Sequence, residues 1–161
     1  MIIHLWNVMC LVLLIFVLLN VSMTDIRYYK IPSWSYYVFL MMGWIDAIVH
    51  QKQWIECIFG FLSVSLVLTL IYILTKGKGI GGGDIKFMAV TGFLLGWKRN
   101  VLAFFLACAL VGVHFLLNKK HFSKSHRFAF GPYLSMGILI SWFFGHEILR
   151  MYSLWPGIIC L

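Results

Sequence analysis

Long apolar runs separated by short polar clusters divide the chain into six segments. Residues from Ile2 to about Met23 are almost uninterrupted apolar sequence, close to the roughly 20 residues that cross a bilayer core, and predict a first helix. It gives way to Thr24-Asp25-Ile26-Arg27-Tyr28-Tyr29-Lys30-Ile31-Pro32-Ser33, a cluster of basic, aromatic and proline residues that marks an interface. Pro32 suits the first turn of the next helix, where its missing N–H costs nothing. Helix two is expected from Ser33 to Val49, with Asp46 near its far end and His50-Gln51-Lys52-Gln53 as the turn beyond it. Helix three follows from about Trp54, an interfacial anchor, to Thr75. After the glycine-rich run Gly77 to Gly83 comes Asp84, then a short fourth helix from Ile85 to about Trp97, in which Gly92 and Gly96 suit close helix packing. Lys98-Arg99-Asn100 is expected to close it. Helix five runs from about Val101 to Leu117, a basic stretch covers 119–127, and helix six starts near Phe130-Gly131-Pro132 and ends around Leu149. The tail from Arg150 is aromatic and interfacial.

Composition turns this pattern into a fold class. The 161 residues are 62% hydrophobic and 11% charged, with a mean hydropathy of +0.93. A soluble domain of that size has too few charges to cover so much apolar surface. The expectation is an all-α polytopic membrane bundle of about six transmembrane helices, forming a single domain over 1–161. The first run lacks the basic start and the A-x-A-like site of a signal peptide and reads as a retained helix.

The net charge of +8 belongs to topology rather than to nucleic acid. No basic stripe with interleaved aromatics forms a continuous face, and short basic loops suit anionic lipid headgroups. Arg27, Lys30, Lys76, Lys78, Lys86, Lys119, Lys120, Lys124 and Arg127 follow helices one, three and five, whereas Lys52, Lys98, Arg99 and Arg150 lie on the other side. The richer side is cytoplasmic by the positive-inside rule, with both termini outside. Asp25 and Asp84 then share the cytoplasmic face. Cys10, Cys57, Cys108 and Cys160 are widely spaced among apolar neighbours, with no metal-binding or redox spacing, and read as packing residues. His121 and His126 belong to a solvated basic loop, and no metal or cofactor is expected.

Two of the three aspartates therefore stand at one end of the bundle, Asp25 closing helix one and Asp84 opening helix four. Two carboxylates brought together at a membrane edge do not both ionise easily and tend to share a proton. Such a pair can activate water with one member and polarise a carbonyl with the other, the chemistry of aspartic peptide hydrolysis. A plainer account is helix capping, since aspartate near a helix N-terminus is favoured by the backbone N–H groups and the dipole. Spacing does not choose between the two. Gly77-Lys78-Gly79-Ile80-Gly81-Gly82 formally matches GxGxxG, but it follows a membrane helix rather than a strand and lacks a P-loop ending.

Gly81-Gly82-Gly83-Asp84-Ile85-Lys86 resembles the GxGDxK motif of the type IV prepilin peptidases, membrane aspartic proteases of the GxGD class. Asp25 followed by Arg27, Lys30 and Ile31-Pro32 is similar to that family's first-aspartate motif, and Phe130-Gly131-Pro132 to its Phe-Gly-Pro segment. Gly92 to Trp97 also reads like the run after the second aspartate. The resemblance covers nearly the whole chain in the right order. It implies a catalytic pair of Asp25 and Asp84, with Gly81 and Gly83 letting the backbone deliver Asp84. Pro32, Gly131 and Pro132 are motif-supporting residues. Lys86 contacts substrate, contacts lipid headgroups or anchors the helix end; these three roles stay open.

The implied activity is removal of the short leader from prepilin or pseudopilin precursors at the cytoplasmic face of a bacterial inner membrane. The longer family members carry an N-terminal region with paired CxxC motifs associated with N-methylation. This sequence resembles the short Tad/Flp-like form, for which no methyltransferase activity is expected. Asp46 is expected to meet water at the outer interface, where Glu56 and Glu147 also lie. The competing functions are a proton- or ion-coupled carrier using membrane-edge carboxylates, and an inactive structural subunit of a pilus or secretion machine.

Overall fold

Uninterrupted apolar sequence becomes helix wherever neither glycine nor proline intervenes. A computed structural model describes residues 2–77, 80–117 and 129–153. They form α1 (Ile2–Tyr28), α2 (Ser33–Val49), α3 (Trp54–Leu74), α4 (Gly82–Leu95), α5 (Trp97–Leu117) and α6 (Gly131–Ser153), and no strand occurs among them. Lys78, Gly79, the stretch 119–127 with its histidines, and Cys160 lie outside the described residues.

Among the described residues, three helices are long and apolar enough to cross a membrane: Leu5–Tyr28, Trp54–Leu74 and Trp97–Leu117. Their outward side chains, among them Phe16, Leu66 and Phe105, are exposed apolar groups, as lipid requires. The chain is an integral membrane protein.

Several boundaries differ from the sequence expectation for local reasons. Helix α1 continues past Met23 because Thr24 to Tyr28 contains no breaker. It stops where Tyr29 turns left-handed, at φ 52, with the Tyr29 N–H on the Asp25 carbonyl at 2.9 Å. Asp25 is thus a helical residue rather than part of a loop. Pro32 is the N-cap of α2, at φ −66 and ψ 132, rather than a first-turn residue. Its carbonyl accepts the Ser35 N–H at 3.1 Å and the Ser35 hydroxyl at 2.7 Å. The largest difference is at Gly96, whose φ of 80 and ψ of 163 are essentially open only to glycine. It separates α4 from α5, so Lys98, Arg99 and Asn100 open α5 instead of closing α4.

Helix α4 is the hub. It packs on α2, α3, α5 and α6, whereas α1 packs on α2 and α6. Its 14 residues make about 21 Å of helix at about 1.5 Å per residue, short of a hydrocarbon core of about 30 Å. It is therefore a short helix wrapped by protein, and nearly all of it from Phe87 to Leu95 is buried. Around it lie the fully buried Leu14, Leu18, Phe39, Met88, Leu134 and Ile138, and the Phe39 and Phe87 rings meet edge-on at 5.4 Å.

The α3–α4 crossing needs glycine on both sides. A Cβ at Gly60 would stand 2.1 Å from the Gly92 carbonyl oxygen, and one at Gly92 would stand 2.1 Å from that of Gly60. Close packing at Gly92 thus follows the sequence expectation, while Gly96 has nothing near its missing side chain. Asn100, wholly buried, fastens the crossing: its Nδ2 donates to the Met88 carbonyl at 3.1 Å and the Gly60 carbonyl at 3.3 Å. Cys10 and Cys57 are buried and Cys108 is exposed, so packing inside the protein accounts for the first two only.

Asp46 does not stand open at the outer interface; its carboxylate is engaged by protein groups. It is 5% exposed, held by Lys52 and by His50 Nδ1 at 3.0 Å, and it accepts the Trp6 indole N–H at 3.1 Å. Its side chain points into the bundle at that level, so depth along the chain is a poor guide to solvent. Glu56 and Glu147 are exposed.

Candidate active site

Asp25 lies on the face of α1 that packs against α6. Its carboxylate is buried, and Oδ2 accepts the Gly131 backbone N–H at 2.7 Å. Gly131 is the first residue of α6, so the carboxylate occupies the positive end of that helix, where free N–H groups favour an anion. Pro132 follows, a residue with no N–H to satisfy in the first turn. Gly131 cannot carry a side chain without displacing the acid, since a Cβ there would lie 2.7 Å from Asp25 Oδ2 and 2.9 Å from its Cγ.

Asp84 is the third residue of α4, behind the N-cap Gly81. Its N–H donates to the Gly81 carbonyl at 3.1 Å, and its carboxylate accepts the Gly81 N–H in return, an acidic variant of the capping box. Capping and a role in chemistry are thus compatible for this residue. The glycines act by their small size rather than by unusual backbone angles. Gly81 is extended at φ −72, and a Cβ on it would stand 2.9 Å from Asp84 Oδ2. Gly83 sits against the Tyr36 hydroxyl, 3.3 Å from where its Cβ would be.

The two acids share one end of the bundle. Helices α1 and α4 are bridged by α2 and α6, both of which touch each of them. Asp84 lies outside the membrane spans, and its carboxyl is pushed up to about 7, first by burial and second by the negative charge of Asp25, against the opposing Gly81 hydrogen bond. Tyr36 of α2 completes the neighbourhood. Its hydroxyl donates to the Gly83 carbonyl at 3.4 Å and feels the charges of both Asp84 and Asp25. Tyr36 is not among the sequence candidates because a tyrosine one turn into an apolar helix looks like any interfacial aromatic.

Lys86 is exposed and lines a groove of about 730 Å³ between α2, α3 and α4, together with Tyr36, Ser65, Thr69, Ile85 and Val90. Of the sequence-derived candidates, Asp25, Gly131 and Pro132 gather at the α1–α6 contact, and Gly81, Gly83 and Asp84 at the mouth of α4. Pro32 stands at the head of α2, next to the Ile31 that packs on Gly83.

Residues 12–116 match the type IV leader peptidase family, and the chain belongs to that family. It is 32% identical over 145 residues to the prepilin leader peptidase/N-methyltransferase of Bacillus subtilis (strain 168), covering 88% of this chain and 58% of the relative. It is 27% identical over 163 residues to the protein of the same name from Pseudomonas aeruginosa, covering 94% and 55%, and 27% identical over 161 residues to that of Aeromonas hydrophila, covering 91% and 53%. The chain spans little more than half the length of these relatives. No solved structure matches it.

Proposed function

We propose that the protein is a leader peptidase that cuts the short leader from prepilin or pseudopilin precursors at the cytoplasmic face of a bacterial inner membrane. The observation that carries this reading is the pairing of Asp84, raised to about 7 partly by the charge of Asp25, with a buried Asp25 in a chain of this family. In the proposed reaction the pair holds one proton between its two carboxyls. The ionised member takes a proton from water as it attacks the scissile carbonyl, and the protonated member donates to the carbonyl oxygen. Each acid is set into the protein and each accepts one backbone N–H, Gly131 on Asp25 and Gly81 on Asp84, so either carboxyl can carry the shared proton. The groove beside Lys86 and Ile85 offers an apolar substrate segment a lateral route to Asp84. The nine-to-four distribution of basic residues supports the cytoplasmic side.

A carrier function is less well supported. The buried residues of α1 between its two ends, Leu14, Val17, Leu18 and Val21, are apolar and give a proton no path through that interface. The distinguishing experiment places the purified protein in proteoliposomes with a leader-bearing pilin and measures cleavage and proton flux together. Cleavage without substrate-dependent flux is expected; flux without cleavage reverses the assignment.

The pH dependence should carry the signature of the shared proton. Because Asp84 is raised to about 7, that proton is lost as pH rises through this value, so kcat/KM should fall about tenfold per unit on the alkaline side. An alkaline limb that begins near 10 instead would remove the proton from Asp84. Gly131→Ala, which pushes a methyl into Asp25, should reduce cleavage by about 10–100-fold while leaving the protein inserted, since a displacement of about 1 Å is enough for losses of that size. Unchanged kcat/KM in Gly131→Ala would detach Asp25 from the site.

A further inference from the structure

At the opposite end of the bundle from Asp25 and Asp84 lies a second polar cavity, of about 520 Å³, that the proposed reaction does not use. Its polar wall comes from Asn7 on α1, Asp46, His50 and Lys52 at the end of α2, and Arg99 at the start of α5. Asn7 precedes Asp25 by 18 helical residues, about 27 Å along the axis at about 1.5 Å per residue, so this cavity belongs to the other membrane interface. Exposed Trp44, Trp54 and Trp97 ring the same end, as tryptophans do at headgroup level.

The cavity carries an unbalanced charge. Asp46 is fully engaged by Trp6, His50 and Lys52, and Lys52 also donates to the Leu94 carbonyl at 3.1 Å. Arg99 is different. Its backbone carbonyl accepts the Ser141 hydroxyl at 2.7 Å and its stem lies along Gly145, but its guanidinium, at the accessible end of a part-buried side chain, has no acceptor among the described residues. With Lys52 and Arg99 against Asp46, the wall holds one positive charge in excess even when His50 is neutral. A guanidinium that lines a cavity at a membrane edge and has no protein acceptor attracts a counter-anion, and its planar fork matches the oxygens of a phosphate.

We infer that this cavity binds a phosphate-bearing anion through Arg99 and Lys52, the source being either the headgroup of an anionic phospholipid or free inorganic phosphate. Val8 and Leu11 of α1 line the same cavity, and this apolar flank beside the cations suits an acyl chain below the phosphate. The inference is independent of peptide cleavage, and its test does not use cleavage as a readout.

The test is thermal unfolding of the full-length protein in a zwitterionic detergent, with added phosphatidylglycerol, phosphatidylcholine or inorganic phosphate. A ligand bound only by the folded state raises Tm. A rise of several °C with phosphatidylglycerol alone is expected and assigns the site to lipid; an equal rise with inorganic phosphate assigns it to the free anion. Arg99→Gln should abolish the rise, whereas Lys98→Gln, next to it but exposed, should keep it. Should Arg99→Gln fail to fold, native mass spectrometry of the wild-type protein serves instead, with at least about tenfold preferential retention of phosphatidylglycerol over phosphatidylcholine or of bound phosphate. No rise and no retention with either anion, or a rise that survives in Arg99→Gln, overturns the inference.

Discussion

Asp84→Asn and Asp25→Asn should each lower leader cleavage by about 10³-fold or more, the scale of losing a positioned general acid or base, while the protein still inserts and folds. The fold should persist because an amide oxygen can take over each structural contact. In Asp25→Asn the new side chain would still accept the Gly131 N–H that Asp25 accepts at 2.7 Å, and in Asp84→Asn it would still accept the Gly81 N–H. Neither amide can accept a proton from water, so the chemistry is lost while the capping remains. The two variants thereby separate the capping account of these aspartates from the catalytic one. If they are caps only, both variants keep their activity; if they are a dyad, either substitution alone removes it. Kinetic assays on detergent-purified variants, alongside their unfolding temperatures, make the comparison.

Gly92→Val should be the most damaging substitution away from the acids. The Gly92 Cβ position lies 2.1 Å from the Gly60 carbonyl oxygen and 2.4 Å from Asn100 Nδ2, and backbone on the α3 side cannot turn aside as a side chain can. Accommodating valine requires α3 and α4 to part, which undoes the contacts of Asn100 with Gly60 and Met88. A loss of about 3 kcal/mol or more follows from such overpacking, visible as a collapse of folded yield and a lowered unfolding temperature. Because α4 carries Asp84, activity should fall with it. Gly96→Ala would test the other glycine of this run: it strains a backbone at φ 80 without any steric clash, so its effect should be smaller.

The order and number of helices were legible from the apolar runs because helix length in a membrane is set by local composition. Helix α2 begins and ends where the sequence placed it, between Pro32 and His50. The shared end of Asp25 and Asp84 was legible from the basic loops and from motif order. Contacts between distant segments were not. Nothing near Asp25 announces that the N–H it accepts belongs to Gly131, and nothing near Asp46 announces Trp6, forty residues earlier. The break at Gly96 was hidden for a different reason. A glycine that admits a neighbouring helix and a glycine that reverses the chain are the same letter, and only the backbone angle at 96 and the crowding at 92 tell them apart. Tyr36 likewise gains its meaning from the two acids beside it, which the folding of α2 between α1 and α4 brings there.

The most direct measurement of the central claim is the mass and N-terminal sequence of a leader-bearing prepilin co-expressed with this protein. With the wild-type chain the prepilin should lose its leader in a single cut, and with Asp25→Asn or Asp84→Asn it should keep the precursor mass. A prepilin that retains its leader beside folded, membrane-inserted wild-type protein, or loses it equally beside either variant, would contradict cleavage by the Asp25–Asp84 pair.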